Sequence, residues 1–167
     1  MVSRTGGSES RPGVTLVGTL VAVVILLIAL VGTSTFRYTA ALDGRRADAQ
    51  TTAARVALLL CESWRGLNGD ETHDPIQLAA GDFGVSRSSW DGHVTPDGYT
   101  LLGNYEIVMD DGDPDGMAYY ATLSWNDVQP GLRALNINVA WAQRSETAAG
   151  ARNVDKSYTL TAYTQVY

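Results

Sequence analysis

Three carboxylates stand at alternate positions in Asp111-Gly112-Asp113-Pro114-Asp115-Gly116, with Asp110 directly before them. Alternating carboxylates can converge on one hard cation, and the closing glycine permits the sharp turn that such a loop needs. Asp111, Asp113 and Asp115 are therefore the candidate calcium ligands. A helix–loop–helix site would need a bidentate glutamate near position 122, where Thr122 stands, and flanking helices where the pattern indicates strands. An acidic hairpin turn is the plainer reading. Calcium apart, no cofactor is expected.

Other chemistry is sparse. There is no Gly-x-Ser-x-Gly elbow, phosphate-binding glycine loop or His-Glu-x-x-His pair. His73 and His93 are isolated and read as solvated loop residues. Asp97 and Glu106 are scattered carboxylates without a paired-acid arrangement. Cys61 is the only cysteine and follows Leu58, Leu59 and Leu60. That setting fits a small apolar filler, not a catalytic thiol, which wants basic, partly exposed surroundings. The chain is not expected to be an enzyme.

The 167 residues suffice for one domain plus an appendage, and 45% are hydrophobic, enough for a packed core. The formal charge of −6 is unevenly spread: from Gly69 to Tyr167 there are 14 acidic residues against 5 basic ones. Binding to nucleic acid requires basic residues that displace phosphate counterions, so this half of the chain excludes it.

Val14 to Phe36 carries no charge and is rich in Val, Leu and Ile. As a helix it runs ~35 Å at 1.5 Å per residue, longer than the ~30 Å hydrocarbon core of a bilayer. A secretory signal is the rival, but its apolar region normally has only ~7–15 residues. No proline occurs between Pro12 and Pro75, so nothing forces a break. Beyond Arg37 the chain turns amphipathic: Ala53, Val56, Ala57, Leu60, Trp64 and Leu67 recur at spacings of three and four. One helix from Val14 to about Leu67 is expected, with Asn68, Gly69 and Asp70 as its stop.

The stretch Gly13-Val14-Thr15-Leu16-Val17-Gly18-Thr19-Leu20-Val21-Ala22 resembles the prepilin cleavage and methylation signal of type IV pilins and type II secretion pseudopilins. That signal has a short basic leader, an obligatory glycine, then an aromatic or apolar residue, Thr, Leu, an aliphatic residue and Glu. The resemblance implies that Arg4 and Arg11 belong to a leader ending at Gly13. Val14 would then be the mature, methylated N-terminus, reached through a prepilin peptidase. It also implies an N-in orientation, other pilin or pseudopilin subunits as partners, and assembly by inner-membrane machinery. Two positions depart from the pattern: Pro12 stands where a basic residue often sits, and Gly18 where the family has its glutamate. That carboxylate is thought to pair with a neighbouring subunit's amine inside the filament. Its absence implies that the amine finds another acceptor or that the subunit has a special position; family members without it include a tip-located pseudopilin, which points to a tip or initiator role.

Residues 69–98 are rich in Gly, Asp, Ser and Thr and read as a connecting region. After it, four runs alternate with period two: Tyr99–Asp110, Met117–Asn126, Arg133–Gln143 and Lys156–Tyr167. Tyr119, Ala121, Leu123 and Trp125 share a face, as do Leu135, Ile137, Val139 and Trp141, and Tyr158, Leu160, Ala162 and Val166. The expected fold is α+β, a long N-terminal helix on a four-stranded antiparallel sheet. Its parts are a leader (1–13), an apolar half-helix (14–36), an amphipathic half-helix (37–68), the connection (69–98) and the sheet (99–167). The ending is similar to the small I-type pseudopilins and V-type pilus modification proteins. A single-span membrane protein with a ligand-binding sheet domain is the competing reading.

Overall fold

In the computed structural model, residues 15–79, 83–109, 117–142 and 154–166 are described. They form helix α1 (Leu16–Gly66), a 3-10 turn (Pro75–Leu78) and five strands. The strands are β1 (Phe83–Arg87), β2 (Thr100–Met109), β3 (Ala118–Gln129), β4 (Leu132–Ala142) and β5 (Val154–Gln165). The chain divides into two compact units, Met1–Gly44 and Arg45–Tyr167.

The second unit holds the core. Its strands pair antiparallel in chain order, β1-β2-β3-β4-β5, each with its sequence neighbour. Short connections join such strands, and β3–β4 turns at Pro130-Gly131, where Gly131 adopts a φ of 81° that suits glycine. Register follows the period-two pattern. Tyr119, Ala121 and Leu123 lie opposite Trp141, Val139 and Ile137, and Ile137 opposite Leu160. This face packs on the helix through Ala49, Ala53, Val56, Ala57, Leu60, Cys61 and Trp64. The alanines admit the sheet close to the helix backbone, and the Tyr119 hydroxyl reaches the Ala49 carbonyl at 3.5 Å.

Two expectations change, and one feature is new. Leu67 is exposed, because the helix has already ended: Gly69 N–H reaches the Trp64 carbonyl and Asn68 N–H the Arg65 carbonyl. Asn68 at φ 54° completes this glycine-type C-cap, so the expected stop residues do stop the helix. The sheet has five strands, not four. The extra one, β1, lies inside the stretch expected to be connection. It is five residues long, too short for its Phe83/Val85/Arg87 alternation to stand out, yet Val85 pairs with Ile107 and enters the core. Finally, the sheet is covered on both faces over β3 and β4. Tyr120, Thr122, Ser124, Ala134 and Asn136 point away from the helix and are buried all the same. Part of their cover is the segment between β1 and β2, where Trp90 lies against Tyr120 at 4.9 Å.

Candidate functional site

Among the described residues of the first unit none is buried. Every residue from Leu16 to Phe36 is exposed along α1, with Leu16 81% and Phe36 73% accessible. Burying one large aliphatic side chain is worth roughly 1.5–3 kcal/mol. Leaving this stretch in water therefore forgoes on the order of 20 kcal/mol. It is built to be covered, and α1 is long and apolar enough to cross a membrane. Its hydroxyls suit such surroundings: Thr33, Ser34, Thr35 and Thr39 each donate to a backbone carbonyl one turn back.

At the start of α1, Thr15 acts as N-cap. Its carbonyl accepts from Thr19 N–H at 3.1 Å and its hydroxyl oxygen accepts from Gly18 N–H at 3.3 Å. Gly18 thus occupies the third helical position, where a glutamate would reach back and complete a reciprocal capping box. A Cβ at Gly18 would lie 3.2 Å from the Thr15 hydroxyl oxygen, so a larger residue needs a small shift of Thr15. Gly13 and Val14 lie outside the described residues, as do Asp111, Asp113 and Asp115. Among the described residues no group of three His, Cys, Asp or Glu side chains is placed to hold a metal ion.

On the second unit, two clusters escaped the sequence reading. Arg133 lies on the helix-facing side of β4 with its side chain only 5% exposed. Its guanidinium sits 3.8 Å above the Trp125 ring, donates to the Gly69 carbonyl at 2.9 Å, and pairs with Asp127 at 2.7 Å and Glu71 at 2.9 Å. The arginine thereby ties the end of α1 to the sheet. Asp127 is held below the usual carboxylate range by its hydrogen bond from Arg133.

The histidines are not solvated. His73 is buried, stacked on Trp64 at 6.2 Å, with Nε2 3.4 Å from Ser63 Oγ. His93 is half-buried beside Trp90, its Nδ1 2.7 Å from Thr122 Oγ1 and its Nε2 enclosed without a hydrogen-bond partner among the described residues. Burial pushes both below the ordinary histidine value. Their sequence neighbours gave no sign of this, since their partners sit on other elements. Cys61 is buried as expected, and burial raises its thiol pKa, as suits an inert filler.

A depressed histidine pKa means that the unfolded chain takes up the proton first. The stability these histidines support is complete above the ordinary value of about 6.5 and declines as pH falls below it. Melting temperature is therefore expected to drop between pH 7.5 and 5.5, and His93→Gln should flatten that slope. A second drop, near pH 4 and below, should be shared by Asp127 and Asp70, whose carboxyl is held low by the Thr72 hydrogen bonds, and should shrink in Asp127→Asn. Equal slopes in the unmutated and His93→Gln proteins would mean that His93 titrates as a free imidazole.

Compared with models of known protein families, with curated proteins and with solved structures, the chain matches none.

Proposed function

We propose that the chain is a structural subunit of the pilin or pseudopilin kind. It is held by α1 in the inner membrane, with the sheet domain on the far side, and is then drawn into a type IV pilus or type II secretion pseudopilus. The observation that carries this reading is the unbroken exposed apolar surface from Leu16 to Phe36 on a helix whose other end is the spine of a compact domain. Such a helix can leave lipid only by entering another apolar environment, and a bundle of like helices is one. The glycine-led sequence at Gly13 and Val14 supports processing by a prepilin peptidase before assembly. Gly18 supports a place at the filament tip, where no following subunit offers its amine to a carboxylate. The work done is assembly, without catalysis by this chain.

Mass spectrometry of the chain recovered from membranes tests the reading. An N-terminus at methylated Val14 is the expected result. An intact residue 1–13 stretch would instead favour a permanently anchored sheet domain that binds a ligand or partner.

A further inference from the structure

The two edges of the sheet are unlike. β1 is five residues long, packs beside the 3-10 turn, and carries Arg87 paired with Asp74 at 3.0 Å. β5 is twelve residues long, and among the described residues no backbone group outside β4 hydrogen-bonds it beyond Val166 to Gly131. From Ser157 to Gln165 it holds no charge, no proline and no glycine. Natural sheets usually protect such an edge with lysine, proline or a bulge. The one irregularity of the β4–β5 ladder lies at the far end, between Trp141 and Ala142.

The backbone phase of this edge can be read. Val166 N–H donates to the Gly131 carbonyl at 3.1 Å, so Val166 faces β4. Alternation along an antiparallel ladder then turns the backbone groups of Ser157, Thr159, Thr161 and Tyr163 outward. Their side chains lie on the face away from the helix and are exposed, Tyr163 to 58%. Tyr158, Leu160 and Ala162 lie on the helix-facing side and are only half-buried against the core.

We propose that this edge pairs with the same edge of a second copy of the chain, antiparallel and centred on Leu160, extending two five-stranded sheets into one. The choice of occupant rests on self-complementarity. With Leu160 opposite Leu160 of the second copy, Thr159 faces Thr161 and Ser157 faces Tyr163, all residues with outward backbone groups. Thr–Thr and aromatic pairs stabilise such ladders. Tyr158 meets Ala162 on the helix side, so both apolar rows continue across the junction. Lys156 faces Thr164, so no like charges oppose each other. Both sheets keep their helix-facing sides on the same side, because residues of the same parity are paired. The proposal is independent of the filament reading.

The lone native cysteine makes the test clean, since Cys61 is buried at 1% exposure and should not cross-link. In the full chain in detergent micelles, Leu160→Cys places two thiols on the two-fold axis at a non-hydrogen-bonded pair, within disulfide reach. Ser157→Cys places them roughly 20 Å apart at ~3.3 Å per residue. Rapid disulfide dimer formation is expected for Leu160→Cys and not for Ser157→Cys. Adding Thr161→Pro, which removes an outward N–H without opening the β4–β5 ladder, should slow cross-linking at least about tenfold. Because the domain is acidic, pairing should strengthen with added salt. Equal cross-linking at both cysteines, or cross-linking indifferent to Thr161→Pro, would overturn the proposal. Should Leu160→Cys misfold, amide exchange in the unmutated chain decides: Thr159 and Thr161 must become protected as protein concentration rises, and concentration-independent exchange overturns the pairing.

Discussion

Arg133→Ala is expected to destabilise the Arg45–Tyr167 unit by about 3 kcal/mol, a loss on the scale of truncating a buried core side chain. The ion pairs themselves contribute a minor part. Asp127 and Glu71 are 52% and 57% exposed, and water would replace the guanidinium around both. More comes from the Gly69 carbonyl, which loses a charged donor at 2.9 Å in a buried setting. The ring of Trp125 also loses the cation stacked 3.8 Å above it. Gly69 has no slack with which to adapt: its φ is 71°, and a Cβ there would come within 2.8 Å of the Thr164 methyl. Arg133→Lys should recover less than half of the loss, because an ammonium cannot make the planar fork or the stack. Urea titration of the three proteins measures this. A loss below about 1 kcal/mol would show that the cap of α1 holds its place without the arginine.

The second large effect concerns maturation. If the chain is processed between Gly13 and Val14, Gly13→Val should abolish cleavage and leave residues 1–13 attached. A peptidase site shaped for bare backbone at that position has no room for a branched Cβ. The mutant should accumulate in the membrane at full mass and be missing from any filament. Normal maturation of Gly13→Val would remove the main support for the prepilin reading.

The long helix, its C-terminal stop, and the four longer strands could be read because each rests on a local regularity. A charge-free run, a three-and-four spacing and a period-two alternation are all visible within a dozen residues. The inner faces of β3, β4 and β5 pack as their alternation indicated. β1 was hidden because five residues, Gly84 among them, give too few repeats to count. Trp90, His93 and Arg133 were hidden for another reason. Each acquires its meaning from a partner 29 or more positions away, and nothing in a local pattern announces such a contact. Arg133 in particular stood only as the first residue of an alternating run. Its position on the core side, under Trp125 and beside Gly69, follows only once β3 and β4 are in register.

The hydroxyls along α1 have a bearing on how deep the chain can sit. Thr33, Ser34, Thr35 and Thr39 would ordinarily mark the point where a span meets the headgroups. With each one already donating to its own helix, they do not need water. The boundary is then set by the guanidinium of Arg37 beside the exposed rings of Phe36 and Tyr38, groups that prefer the interface. Placed in a bilayer, the helix could therefore ride up or down by about a turn, ~5 Å, and tolerate membranes of unequal thickness. If the chain is drawn from lipid into a filament, as proposed, that latitude eases its exit.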